Sequence, residues 1–450
     1  MSDLTKAIVK LIQTTPAYEL LGSKTKTNLK KGVLDYFISC YASVKFDPNF
    51  PNVVNTAIYS GFDGAAVVGT GLKVHPFDAC LINGYSAHAL DLDDVHSEIR
   101  GHPSAVLLSL LLSLLKEKQD TNRFYLAYLI GIETMTRFAK LLGPRHYEKG
   151  FHTTATAGVY GAVAAGAYYL DFPAEKFAHA LNLCVSKISG SRSHFGTLIK
   201  PLHAGLAAQN AWQILHFVHH NVIGSENTIL SKNGLLSMYA EHKQDPWQLF
   251  EQWGESWAVD TPGLWFKLYP CCSANAHVID AVKDIKKKQK FTAVEVASVD
   301  LYFPPSGDAA LVYTRPENGE QGRFSAEYCI ALLLLEKDLS IDHFTVSSIS
   351  EDVYDEMAKI HRKYDDQIPS RENSYPKGRY CIVEISLKNG QKIVSRVDAP
   401  TGSPGNPLEM EDLLNKATAL LGNQGNQLIK LLSVEVEEWV QFLEGTIGDL

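Results

Sequence analysis

Up to about residue 260 the hydrophobic positions recur at three- and four-residue spacing, broken by short polar connections, which is the helical period. The stretches Thr27 to Val44, Asn122 to Leu142 and Pro173 to Ile188 each predict an amphipathic helix. His102-Pro103 followed by Ser104-Ala105-Val106-Leu107-Leu108 opens another, with proline in its first turn, and the leucine run to Leu115 is apolar nearly all round. That helix is expected to be central and buried. Thr153 to Leu170 places Ala155, Gly158, Ala162 and Gly166 on one helical stripe, where a second backbone can approach closely. From about Trp265 the texture changes. Val294 to Phe303 alternates as a half-buried strand before Pro304-Pro305, and Arg379 to Leu387, Asn389-Gly390 and Gln391 to Val397 read as a hairpin. Helices are predicted at Ala274 to Lys287, Ser325 to Glu336 and Ser350 to Tyr364. After the Gly/Pro-rich link Pro400 to Pro407 the helical period returns. The pattern predicts a mainly α protein: a large all-α helical domain over 1–262, to which helices in 405–450 return, and a smaller inserted α+β lid domain over 263–404.

Composition narrows the class. The 450 residues are 45% hydrophobic and 20% charged, which excludes a disordered, collagen-like or small disulfide-stapled chain. The 42 Lys+Arg against 50 Asp+Glu give a formal charge of −8, without the basic excess that nucleic-acid binding requires. Any anion the protein handles must therefore be small and held locally. The apolar stretches Ala105 to Leu115 and Ala157 to Leu170 are shorter than the ~20 residues that span a bilayer. No basic-then-apolar leader opens the chain and the seven cysteines show no C-x-x-C spacing, so a cytoplasmic protein without a disulfide framework or structural zinc is expected.

Four segments concentrate chemistry between the apolar helices. In Asn83 to Pro103, four carboxylates, three histidines and an arginine lie within Ala87-His88-Ala89-Leu90-Asp91-Leu92-Asp93-Asp94 and its continuation to His102. His102, just before a helix, is placed near free backbone N–H groups and is a candidate for anion contact. Lys149 to Thr156 carries Phe151-His152 ahead of Thr153 or Thr154, either of which is a sensible helix cap. Ser189 to Gly205 is glycine-punctuated, holds Arg192, His194, Lys200 and His203, and lacks P-loop spacing; it suits a loop that receives a carboxylate on Lys200. Lys267 to Ser273, with Cys271-Cys272, falls at the predicted domain junction, a favoured place for a ligand cleft. Asp93-Asp94 in a helical protein also fits the Asp-rich magnesium motif of class I terpene synthases, but no second metal motif follows. A non-catalytic helical scaffold would leave the His/Lys loops without a purpose.

Taken together, Asn83-Gly84, Ala87 to Asp94, His102-Pro103-Ser104, Gly150-Phe151-His152, Lys200 to Gly205, and Lys267 to Cys272 followed by Ile279-Asp280-Ala281 resemble, in order and across nearly the whole chain, the MmgE/PrpD family. Its members dehydrate 2-methylcitrate, decarboxylate cis-aconitate or epimerise iminodisuccinate. The resemblance implies a homodimer, an active site between a helical and a lid domain, and a lyase that acts on a small di- or tricarboxylate without a metal or organic cofactor; an epimerase is the alternative. It implies that Asp91, His102, His152 and Lys200 line the site, with Lys267 and Cys272 from the junction. Tyr328 aligns with a tyrosine of the decarboxylase members. Arg192, His203 and Lys267 are expected to bind substrate, and His152 or Asp91 to move the proton. Two departures stand out: Cys272 and Val95 occupy positions where decarboxylase members tend to carry histidine and threonine.

Overall fold

The helical period of the first half is realised as a set of helices whose small residues let backbones touch. The computed structural model describes residues 4–57, 64–116, 119–240 and 245–436, with 438, 439 and 443. The principal helices of this part are α1 (Ser23–Phe46), α2 (Pro76–His88), α3 (Pro103–Ser113), α4 (Thr121–Leu142), α5 (Thr153–Tyr169), α6 (Ala174–Leu183) and α7 (Ile199–His219). Every residue of α3 is buried, as an all-apolar helix requires. The small-residue stripe of α5 is read out as contact: Gly158 lies against Val106 of α3, and Gly166 against Leu215 of α7.

The closest approach joins α2 to α7. A Cβ on Gly84 would fall 2.4 Å from the Gly205 Cα, and one on Gly205 would fall 2.2 Å from the Leu81 carbonyl oxygen. Only glycine fits at either place, since no side chain could yield to a backbone at that distance. This contact brings the C-terminal end of α2, with His88, alongside the N-terminal end of α7, with Lys200.

The second half adds α8 (Asn275–Lys288), β1 (Val296–Phe303), α9 (Ala326–Leu334), α10 (Glu351–Met357), β2 (Ile360–Tyr364), β3 (Cys381–Leu387) and β4 (Lys392–Val397). The strands form one sheet in the order β2-β1-β3-β4. β1 runs parallel to β2, with Val299 opposite Ile360, and antiparallel to β3, with Leu301 opposite Val383. Asn389-Gly390 turns β3 into β4, and Gly390 supplies the positive φ of +89° that the turn needs. Residues of α8, α9 and the sheet share a core of their own, centred on Val282, Leu301, Ile330 and Val383.

One element differs from its sequence pattern. Ser350 to Tyr364 reads as a single helix, but α10 stops at Met357 and residues 360–364 are an edge strand. There only Ile360 is buried, while Arg362 is fastened by Glu327 and Asp308, so tertiary pairing overrides the helical period. After the Gly/Pro-rich link, α11 (Met410–Leu421) and α12 (Asn423–Leu431) pack on the first set of helices: Leu413, Ala417, Leu421 and Trp439 belong to the same core as α1 and α4. The helices expected in 405–450 fall partly outside the described residues, at 437, 440–442 and 444–450. The protein is mainly α, and among the described residues no helix is long and apolar enough to cross a membrane.

Candidate active site

Three loops and one inter-unit segment converge above the ends of α2, α3, α5 and α7. After α2 the chain turns at Asp91, which takes a left-handed φ of +52° and donates its N–H to the His88 carbonyl at 3.0 Å. Aspartate tolerates that conformation better than most residues, so the turn and the carboxylate at the cavity wall fall on one position. Val95 then pairs with Trp265 through two backbone bonds of 2.9 and 2.8 Å, which docks the segment carrying Lys267 onto this loop. His102 is the residue preceding α3, as expected, and His152, not Thr153 or Thr154, is the residue preceding α5. The expected threonine cap is absent because Thr154 Oγ is used otherwise, accepting the His102 N–H at 3.1 Å and so tying the two helix starts together. His152 in turn donates its N–H to the Gly190 carbonyl at 3.0 Å.

The result is a cavity of about 410 Å³ whose wall includes Asp91, His102, His152, Lys200, Cys272 and Arg192, with Arg379, Pro304 to Gly307, Ala309 and Ala310 from the second half. Asp91 is its electrostatic centre. Lys200 Nζ donates to Asp91 Oδ1 at 2.8 Å, Lys267 Nζ lies 3.1 Å from the same oxygen, and His102 Nε2 is 3.6 Å away. Lys200 also donates to His88 Nε2 at 2.8 Å, which leaves the proton of that neutral imidazole on Nδ1, 2.9 Å from Asp93 Oδ1. Asp93 is approached from the other side by His102 Nδ1 at 3.1 Å. The rings of Phe195 and Phe324 stand 5.5 and 5.2 Å from Lys200 Nζ and give the ammonium an aromatic floor.

The charges follow from this arrangement. Burial opposes ionisation of Asp91, but Lys200, Lys267 and the two histidines outweigh it and hold the carboxyl well below the ordinary range. Asp93 is held down in the same way by His102 and His88, again against burial. Burial, with the nearby Lys200, keeps His152 far below the usual histidine value, so its imidazole is neutral at working pH. Its Nδ1 meets His203 Nδ1 at 3.1 Å. Burial, then the negative Asp91, push the Cys272 thiol up to about 11. It therefore keeps its proton at neutral pH and is not a standing thiolate.

His88, Asp91, Asp93 and His102 offer ligand atoms within 4.8 Å of one another, a grouping that could hold a metal ion. Two ammonium groups already stand at Asp91, and a divalent cation there would meet both of them. The donor set suits lysine better than a metal. Asp94, the other half of the Asp-Asp pair, is turned away from the cavity: it accepts from Ser104, and burial followed by Asp35 raises its carboxyl well above the usual range. The pair does not present two carboxylates to one ion.

Of the expected residues, Lys267 stands behind Asp91 and His203 behind His152. Tyr328 is the exception, because it lies in the second core and donates its hydroxyl to the His343 carbonyl at 2.6 Å, away from the cavity wall. Arg192 reaches the wall, yet its guanidinium donates to the carbonyls of Tyr147 (2.9 Å) and Ala309 (3.0 Å) and works as a strap between the two halves. His88, Asp93 and Arg379 were not among the expected residues. The first two sit inside the dense motif and had a signal there; Arg379, two residues after Lys377, belongs to none of the four segments and had none.

The buried histidines make the fold acid-labile. Burial is the main cause that pushes His88 and His277 down to about 3 and His96 to about 4. In the unfolded chain each takes up its proton near pH 6.5. Between that pH and about 4 the unfolded state binds more protons than the folded one, so stability falls on acidification by roughly 1.4 kcal/mol per pH unit per histidine. Melting temperatures measured from pH 7 to 5 should drop steeply; a flat profile would contradict these assignments.

A mainly helical protein with a smaller α+β part and a lysine-clamped aspartate at their junction is the class that this fold and site define. The chain belongs to the MmgE/PrpD family: residues 8–248 match the MmgE/PrpD N-terminal domain and residues 269–434 the MmgE/PrpD C-terminal domain. It is 26% identical over 379 residues to the cis-aconitate decarboxylase of Mus musculus, covering 80% of this chain and 75% of that protein. It is similarly 26% identical over 378 residues to the cis-aconitate decarboxylase of Homo sapiens, covering 80% and 76%. The cis-aconitate decarboxylase of Aspergillus terreus is 22% identical over 383 residues, covering 79% and 77%.

Proposed function

We propose that the protein is a cofactor-independent lyase that decarboxylates or dehydrates a small di- or tricarboxylate, working as a cytoplasmic homodimer with its 263–404 region as a lid. The observation that carries this reading is the convergence of Lys200 and Lys267 on Asp91 at the wall of a 410 Å³ cavity. Loss of CO2, or removal of the carbon-bound proton in a dehydration, leaves an electron pair on carbon beside an existing negative charge. Fixed cations that clamp the spectator carboxylates lower that barrier, because they need no reorganisation when the charge develops. Lys200 supplies the charge of the clamp, with the neutral His102 imidazole beside it on the wall, and Asp91 holds the two ammonium groups in place.

The proton chemistry falls to the remaining groups. Asp91, kept anionic by its lysines, serves as anchor more readily than as acid. His152 is neutral, backed by His203, and able to take or return a proton. Cys272 carries a proton at neutral pH on another part of the same wall. In decarboxylation the carbon–carbon bond breaks, CO2 leaves, the electron pair spreads into the neighbouring carboxylate, and the carbon is then protonated by one of these groups. The family match and the three decarboxylase relatives support this class.

The test is incubation in D2O with cis-aconitate, citrate, 2-methylcitrate and iminodisuccinate, followed by proton NMR, with and without a chelator. Net loss of CO2 or water from a tricarboxylate, unchanged by the chelator, is the expected result. Deuterium exchange without net conversion would favour an epimerase, which two proton carriers on one cavity would suit. No change in any substrate would overturn the reading.

A further inference from the structure

The cavity has a second cationic pole that the residues around Asp91 do not explain. Arg379 lines the wall from the turn before β3, with Arg100, Lys377 and Tyr147 on the same wall. Its backbone N–H donates to the Pro376 carbonyl at 2.9 Å and fixes the turn. Its guanidinium has no carboxylate or carbonyl partner among the described residues. Burial pulls its pKa below the ordinary arginine value, and the groups that act on it are Cys272, Tyr147, Arg100 and Asp308. Arginine nevertheless stays charged in a protein.

The acids around the mouth are already engaged elsewhere. Glu98 pairs with Lys140 at 2.8 Å and Glu148 with Arg145 at 3.6 Å. Asp308 accepts from Arg362 at 2.9 Å and from the Tyr364 hydroxyl at 2.8 Å. Arg192, by contrast, has both its terminal nitrogens on carbonyl oxygens, with its guanidinium 3.7 Å from the centre of the Tyr147 ring. Arg379 is half-buried at the cavity wall, and a guanidinium without a counter-charge there presents a planar fork that matches a carboxylate.

We propose that Arg379, assisted by Arg100, grips a substrate carboxylate at a different wall from Lys200 and Lys267, and that this contact selects a tricarboxylate over a dicarboxylate. The proposal rests on the reading of the cavity as a polycarboxylate site, and its test separates the two. The probes are propane-1,2,3-tricarboxylate and pentanedioate, which differ by one carboxylate, titrated into the purified full-length protein by calorimetry.

Wild-type protein is expected to bind the tricarboxylate more tightly. Arg379→Ala should weaken the tricarboxylate by about 10- to 100-fold, the range for losing a charge-assisted hydrogen bond, and leave pentanedioate nearly unchanged. Arg379→Lys, which keeps the charge and loses the fork, should recover only part. Arg379→Gln, closer in bulk, gives the same loss if the alanine variant does not fold. An undiminished preference in the Ala and Gln variants, or an equal loss for both ligands, overturns the assignment of Arg379 and leaves the polycarboxylate reading standing. Failure of wild-type protein to bind either probe overturns both.

Discussion

Lys200→Met is expected to retain no more than about a hundredth to a thousandth of wild-type turnover, the usual cost of removing one preorganised group that stabilises developing charge. The expectation follows from how many roles one ammonium holds. Lys200 donates to Asp91 Oδ1 and to His88 Nε2, both at 2.8 Å, and rests over Phe195 and Phe324. Its loss leaves Lys267 as the remaining lysine on Asp91 and leaves His88 Nε2 without that donor. Methionine matches the stem of lysine, so the variant tests the charge and not the volume. Lys200→Arg should not rescue, because both acceptors lie 2.8 Å from one compact nitrogen, and a bulkier planar guanidinium with fixed donor directions does not fit that point. The loss should also appear in the pH profile. Lys200 helps to hold the Asp91 carboxyl and the His152 imidazole low, although burial is the larger influence on both and acts against the charge of each. Without it both groups bind protons at higher pH, and residual activity should fade at a higher pH on the acid side than in wild type. Turnover within tenfold of wild type would remove Lys200 from the machinery.

Much of this site was visible along the chain because its residues lie in dense polar runs between helices that are apolar nearly all round. Asp91, His102, His152 and Lys200 could be read from such runs; the Gly84–Gly205 approach, a pair of glycines in the same motifs, sets Lys200 beside the end of α2, and the Thr154–His102 bond joins the two histidine-led helix starts. What the chain does not show is direction. Tyr328 follows a serine-capped helix start and matches a motif position, yet α9 is buried all round and turns the ring into the second core. Arg379 shares its stretch with Lys377 but matches none of the motifs, and its significance arises only when the turn before β3 is set against Arg100 and Tyr147 from the helical part. The strand at 360–364 was hidden for the same reason, since its pairing with β1 and the capture of Arg362 by Glu327 and Asp308 are tertiary.

The largest effect on stability is expected from Lys416, a residue of the C-terminal helix α11 that no polar run marks. Its ammonium is buried, donates to Asp35 Oδ1 at 2.7 Å and to the Leu92 carbonyl at 3.0 Å, and so ties α11 both to α1 and to the backbone between Asp91 and Asp93. Lys416→Met leaves the Asp35 carboxylate buried and unpaired, which costs roughly 3–5 kcal/mol. The cost should depend on pH. Burial already raises the Asp35 carboxyl, partly offset by Lys416, and removing the lysine raises it further. A carboxyl with a folded pKa above its unfolded one binds its proton more tightly when folded, so the variant regains stability as pH falls through that value and loses it as pH rises. The gap to wild type in chemical denaturation should therefore be wider at pH 8 than at pH 6. Asp35→Asn combined with Lys416→Met removes the stranded charge and should recover most of the stability. It cannot restore the donor to the Leu92 carbonyl, so the double variant should fold well yet turn over more slowly than Asp35→Asn alone. A double variant as unstable as Lys416→Met would show that the charge pair is not the cause. One as active as Asp35→Asn would show that the C-terminal helix does not hold the Asp91 loop.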